Sequence, residues 1–319
     1  MPYSFKALLM PLLCCLLQAP VLAQTPSEAP SETLPETIPE ALPAPESSAP
    51  AADLPVPAEL PESAASPVRY PRLHAQAEFG PLGVLSHQIQ FSQNNTYFDY
   101  RESGGQDNLF AVGRLSLDLA LDPNHSLVFM YQPLSLVSRA VLDQDMRQDN
   151  VLFTQGTPMR FTYNFPFFRA SWLYDFDPDP FTELAAGVSL QLRDATIEFE
   201  SLDGKQLVSQ RDVGPVPVLK FRSRQRLNEL WWWGAEVDGF YAPISVLNGS
   251  TNEVIGAILD AQLQFGMDID GRYFPYLGLR YLGGGSVGTS KDLEALGDGY
   301  SQNWLHFLAL SVGVRALVF

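Results

Sequence analysis

The chain has 319 residues, 36 acidic against 20 basic, a formal net charge of −16, 46% hydrophobic residues and two cysteines. An acidic balance of this size excludes nucleic acid as a partner. Beyond the N-terminal residues no window approaches the ~18 unbroken apolar residues of a membrane-spanning helix, which excludes a helical membrane protein.

Residues 1–23 read as an export signal. Lys6 supplies the positive start, Ala7 to Leu17 an apolar core too short to span a bilayer, and Val21-Leu22-Ala23 a cleavage site before Gln24. A lipoprotein signal acylated at Cys14 or Cys15 is the alternative, disfavoured by Leu13 where a small residue is expected. Cleavage at Ala23 removes both cysteines, so disulfide and thiolate chemistry are excluded from the exported chain.

Residues 24–67 hold eleven prolines and eight acids (Glu28, Glu32, Glu36, Glu40, Glu46, Asp53, Glu59, Glu62) with no base. Proline removes backbone donors and like charges repel, so the segment is expected to be an extended, disordered linker. At ~3.1 Å per residue it reaches on the order of 130 Å, which suits an inert spacer or a contact with a periplasmic or cell-wall partner. Setting aside these eight acids and Lys6 leaves 28 acids against 19 bases for the remainder. Residues 68–86 read as a lead-in.

From 87 to 319 one rhythm holds. Strands are predicted near 87–101, 108–122, 125–142, 159–176, 183–200, 206–226, 230–242, 254–268, 272–286 and 303–319. Tight turns (Asp122-Pro123-Asn124, Asp177-Pro178-Asp179-Pro180, Leu227-Asn228-Glu229, Asp270-Gly271) alternate with longer polar connections (143–158, 243–253, 283–303). Asp203-Gly204-Lys205 reads as a hairpin tip, and Asn248-Gly249-Ser250 as turn chemistry. Within strands the faces alternate. Leu109, Ala111, Gly113, Leu115, Leu117, Leu119 and Leu121 oppose Arg114, Ser116 and Asp118, and Ile255 to Met267 repeats the pattern against Asp260, Gln262, Gln264 and Asp268. Short and long connections in turn, period-two strands and an even count predict an all-β, up-and-down antiparallel transmembrane barrel of ten strands, with eight or twelve as alternatives. Strands longer than the ~9–11 residues needed to cross should project beyond the outer interface. A soluble sandwich, the competing architecture, has shorter strands.

The export signal, the strand rhythm and the terminal Phe319 resemble Gram-negative outer-membrane β-barrel proteins. The resemblance implies lipid contact in the outer membrane and, for Phe319, a role as an assembly signal read by the barrel-assembly machinery. The phase of Phe319 (Leu317, Arg315, Gly313) is less apolar than the opposite one (Val318, Ala316, Val314, Val312). Either the last strand bulges or Phe319 points differently from the family pattern.

Alternation also places charge. Lys220, Arg222 and Arg224 point inward beside Glu236 and Asp238 of the next strand, with Asp260 extending the acidic side and Arg114, Asp118, Arg193 and Arg280 inward elsewhere. A ten-stranded lumen is narrow, and buried charge persists only when paired. The expectation is a largely occluded, charge-paired lumen with a structural, adhesive or recognition role in the surface loops. A narrow channel for small solutes and a hydrolase using His306 are the alternatives. Omptin-type proteases also have ten strands, but need His–Asp and Asp pairs at the rim. Here only His306 lies near the outer mouth, with Asp292, Glu294 and Asp298 on the preceding loop, and no matching Asp-His dipeptide occurs. No His/Cys/carboxylate spacing suggests a metal, and no cofactor motif is present. Gly283-Gly284-Gly285 leads into no helix and reads as a flexible strand end rather than a phosphate cradle.

Overall fold

The computed structural model describes residues 69–179, 182–243, 253–290 and 298–319. The expectations for residues 1–67, for Asn248-Gly249-Ser250 and for Asp292 and Glu294 lie outside these residues.

The described chain is all-β: β1 (Arg72–Phe91), β2 (Phe98–Asp99), β3 (Leu109–Ala120), β4 (His125–Gln132), β5 (Ser135–Val141), β6 (Met146–Gln148), β7 (Val151–Phe153), β8 (Pro158–Asn164), β9 (Phe167–Asp175), β10 (Thr182–Ser201), β11 (Leu207–Arg226), β12 (Trp231–Pro243), β13 (Ile255–Met267), β14 (Tyr273–Thr289) and β15 (Tyr300–Leu317). Each runs antiparallel to its partners, and the sheet closes through β15 on β1 and β10 on β11. Pro133 and Pro166 interrupt two of the predicted strands, since proline cannot donate to a ladder. β4 with β5, and β8 with β9, therefore each form one broken stave. Counted so, ten staves close the barrel, the predicted number.

The first stave is a correction. It begins at Arg72, inside the segment expected to be a lead-in, and ends at Phe91 rather than running over 87–101. Its alternation is masked by Gly80, Pro81 and Gly83 and by a register shift between Val84 and Ser86, so the period-two signal breaks where a strand in fact continues. The triple glycine is a second correction. Gly283 to Gly285 lie within β14, not at its end, and a Cβ on Gly285 would strike the Asn303 carbonyl oxygen of β15. Close backbone approach, not flexibility, calls for glycine there.

Both strand termini, Arg72 and Leu317, lie at the end of the barrel that carries the tight turns. An Asp or Asn side chain ties each turn. Asp122 accepts the amides of Asn124 and His125 at 2.9 and 2.8 Å, Asn228 those of Leu230 and Trp231 at 2.9 Å, Asp268 that of Gly271 at 2.8 Å, and Asp175 those of Asp177 and Leu184 at 3.1 and 3.0 Å. Such side chains mimic a backbone turn, which is why they recur at this end.

The outward face between the two ends is an apolar belt that includes Phe79, Leu115, Leu117, Phe129, Phe168, Val188, Leu190, Leu219, Leu263, Leu277, Leu310 and Val312, all exposed. An apolar surface this extensive in a closed barrel is covered by lipid. Trp172, Tyr174, Phe176, Trp231 and Tyr273 gather toward the turn end, as interfacial aromatics do. β15 pairs with β14 without a bulge from Tyr300 to Ala316, and its lipid-facing residues are Leu308, Leu310, Val312 and Val314. Phe319 is therefore in the opposite, lumen-facing phase beyond the strand end, its side chain exposed and its carbonyl accepting the Leu73 amide at 2.9 Å.

Toward the loop end the wall changes. β11 pairs with β12 only from Leu219 to Arg226, while its pairing with β10 runs on to Leu207. Pro215 and Pro217 lie in this stretch opposite Leu192 and Leu190. They can stand in the β10 ladder only with their donor-less nitrogens turned toward the other edge, so β12 finds no donors there to continue along.

Candidate functional site

The lumen divides into two halves of different chemistry. At the loop end it is filled by a packed apolar cluster. Staves contribute Leu82, Val84, Ile89, Leu136, Met159, Phe161, Tyr163, Phe199 and Phe307. Two loop-end connections turn down to complete it, bringing Phe98 and Tyr100 from between β1 and β3, and Met146 and Phe153 from the small β6–β7 hairpin. Phe153, Phe161, Tyr163 and Phe307 have no exposure at all. The Phe98 ring lies 4.7 Å from Phe161 and 5.4 Å from Phe199, and His87 stacks on Tyr100 at 4.0 Å while its Nδ1 meets Gln106 at 3.2 Å. This is interior packing, and it closes the loop end of the lumen.

At the turn end the lumen is charged. The register sets Lys220 opposite Asp238 and Arg222 opposite Glu236, as the two predicted ladders require, yet the ion pairs follow a different plan. Lys220 bonds Asp238 at 2.9 Å and approaches Glu236 at 3.4 Å, and Arg224 reaches Glu236 at 3.2 Å. Arg222 instead crosses the lumen to Asp118 of β3 at 3.0 Å and donates from Nε to Glu183 of β10 at 2.6 Å. Asp238 and Asp260 share Arg169 at 2.7 and 3.0 Å, and Asp260 takes both Nε and Nη2 of Arg280 at 2.6 and 2.7 Å. Arg280 also donates to Gln132 at 2.6 Å. Arg114 lies 2.9 Å from Glu78 through an Nε that is off the hydrogen-bond line, and it bonds Gln262. The second Glu78 oxygen accepts Tyr276 and Gln262 at 2.8 Å each. The Tyr276 ring stands over Gly313 of β15, where a Cβ would collide with it.

Eight of the ten predicted lumen charges thus join one network (Asp118, Lys220, Arg222, Arg224, Glu236, Asp238, Asp260 and Arg280), and Arg114 sits in a separate cluster with Glu78, Gln262 and Tyr276. Arg193 stands apart. It lies nearer the loop end, and its ion pair is with Asp212 of β11, whose side chain is 64% exposed. Sequence reasoning missed Glu78, Arg169 and Arg315, and it set Glu183 on the wet face without counting it among the lumen charges. Glu78 fell in the presumed lead-in. The other three occupy inward phases whose apolar alternates (Phe168 and Ala170, Leu184, Val314 and Ala316) were readable. Of Arg114, Arg169, Lys220, Arg222, Arg224, Arg280 and Arg315, only Arg315 has no carboxylate within 3.5 Å.

His306 faces outward from β15, at the loop-side margin of the lipid belt, with its Nδ1 2.6 Å from the Tyr281 hydroxyl. Asp298 does not join it, since its carboxylate accepts the amides of Gln93 at 2.9 Å and Tyr300 at 3.0 Å. Among the described residues no group of three His, Cys, Asp or Glu is placed to hold a metal ion.

No family model and no curated protein matches the chain. Solved structures of similar outline include the outer membrane protease OmpT from Escherichia coli (10% identity over 77% of this chain and 96% of that one, TM-score 0.46). They also include the transport unit of the autotransporter AIDA-I from Escherichia coli (9%, 78% and 91%, TM-score 0.39) and the attachment invasion locus protein Ail of Yersinia pestis in complex with a heparin analogue (9%, 76% and 98%, TM-score 0.32). Identities of this size leave no residue-level correspondence.

Proposed function

We propose that the chain is a non-enzymatic protein of the Gram-negative outer membrane, a closed barrel that anchors a recognition or adhesive head outside the bilayer. Residues 1–23 would direct export, residues 24–67 would tether the barrel on the periplasmic side, and Phe319 would take part in recognition by the assembly machinery. The observation that carries this reading is the apolar cluster around Phe161 and Phe307, which fills the loop end of the lumen while the charged residues of the turn end are bonded to one another. A water-filled path needs polar groups free to replace hydration, and here all but a few of those groups are committed to one another. The loop-end surface suits a head, because charged pairs stand on it (Arg160 with Glu200 at 3.2 Å, Arg211 with Asp194 at 2.7 Å) beside exposed apolar residues such as Val141 and Val213. The purified full chain in planar bilayers should show no resolved conductance steps. Stable openings would overturn the occluded-lumen reading and favour a narrow channel.

A further inference from the structure

Arg315 is the place where the charged lumen is incomplete, and it borders an open cavity. The cavity, about 590 Å³, occupies the turn-end mouth and is lined by His74, Asp118, Arg222, Arg224, Phe274 and Arg315 among others. One oxygen of Asp118 serves three guanidiniums, taking Arg222 at 3.0 Å, Arg224 at 3.3 Å and Arg315 at 3.8 Å. The first two also have Glu183, and Arg224 has Glu236 besides. Arg315 has only the distant contact and the Phe274 ring, 5.6 Å away. The Nε atoms of both Arg224 and Arg315 are buried without an acceptor. The carboxylates at the rim do not supply one. Asp122 and Asp175 are held by turn amides, and Asp268 by Arg226 and the Gly271 amide.

We infer that this mouth is a binding site for a carboxylate, gripped by the Arg315 guanidinium, which lines the cavity without a close carboxylate of its own. A guanidinium presents a planar fork that matches a carboxylate, and a buried one without a counter-charge is costly to leave so. A free small-molecule carboxylate carries that chemistry.

Thermal unfolding of the full chain in detergent, followed by the gel shift of the folded barrel, tests this with sodium acetate as probe against sodium chloride at equal ionic strength. A saturable rise of the midpoint with acetate in the unaltered chain assigns the site to free ligand. Arg315→Gln should need about tenfold more acetate for the same rise, the loss expected for one charged hydrogen-bond partner, and Arg315→Lys, which keeps the charge and loses the fork, should fall between. The site is overturned by no saturable rise, by a rise that chloride reproduces, or by an Arg315→Lys chain that folds and responds as the parent does.

Discussion

Strand β10 carries both halves of the molecule, and its two faces exchange character near Arg193. From Leu184 to Leu192 the outward residues are Leu184, Ala186, Val188, Leu190 and Leu192, with Ser189 and Gln191 buried inside. From Asp194 to Glu200 the outward residues are Asp194, Thr196, Glu198 and Glu200, with Ala195, Ile197 and Phe199 buried inside. The backbone and the period of two are the same throughout; what differs is the solvent outside. Where lipid covers the wall, apolar side chains gain nothing by moving inward, and the inside can hold polar groups provided that they satisfy one another. Where water covers it, the hydrophobic effect drives apolar side chains inside, as in any soluble domain. The two halves are therefore held by different forces and should fail differently.

The largest effect should come from the lipid-clad half. Asp260→Ala leaves Arg169 without one of its two carboxylates and Arg280 without its only one. Breaking a buried pair in this way costs about 3–5 kcal/mol, and denaturant unfolding in detergent should show a loss of that size. A loss below about 1 kcal/mol would mean that water enters and screens this half. Next comes Phe161→Ala in the water-clad half, where removal of a fully buried ring costs about 3–5 kcal/mol before the cavity relaxes. The damage should stay local. Amide exchange should rise in β5, β8 and the connection bearing Phe98 and Tyr100, while β12 to β15 remain protected. Uniform loosening of both halves would show that they form one cooperative unit.

A smaller effect separates the halves along one face of one strand. Leu190→Arg places a charge in the lipid belt and should cost about 2–4 kcal/mol if it lies near mid-bilayer. Glu198→Arg, eight residues on and also outward, faces water and should stay within about 0.5 kcal/mol. Equal costs at the two positions would move the membrane boundary away from Arg193.

The sequence displays most of the lipid-clad half, because alternation there is uninterrupted and charged side chains stand out against it. The number of staves, the turn end and nine of the inward charges follow from period two and the alternation of short and long connections. What stays hidden has physical reasons. Glycines, Pro81 and the shift at Val84/Ser86 break the pattern over β1, so Glu78 is not recognised as inward. The apolar filling of the loop end is harder still to see, since in a membrane barrel an apolar face is taken to be the lipid face. Phe161, Tyr163, Ile197 and Phe199 are apolar at the buried phase, and only the charges opposite them, Arg160, Glu198 and Glu200, reveal that water lies outside. Which acid an arginine selects was also beyond reach. Arg222 bonds across the lumen to Asp118, and no pairing of neighbouring strands encodes that contact.

The smallest effect is expected at the tip of the water-clad half. The Asp203 carboxylate accepts the Ser201 hydroxyl at 2.7 Å and the Lys205 amide at 3.1 Å, while Gly204 supplies the left-handed φ of +72° that the turn needs. The Ser201 hydroxyl first, then the Lys205 amide and ammonium, hold its pKa down to about 2. A depressed folded-state pKa means that the ionised form is the one the fold favours. Its contribution to the turn is thus fully present above the ordinary aspartate value of ~3.9 and is lost as pH falls through about 2. A carboxyl titration by NMR of the chain in micelles should place the Asp203 midpoint near 2 and leave the tip unchanged between pH 8 and 5. Asp203→Asn should abolish the transition without altering the turn at neutral pH, because an amide oxygen can still accept both bonds. A midpoint near ~3.9 would show that the tip is not held by its own side chains. Its fixed position would then have to come from the apolar packing beneath it, where Phe199 and Val208 enter the same cluster as Phe161.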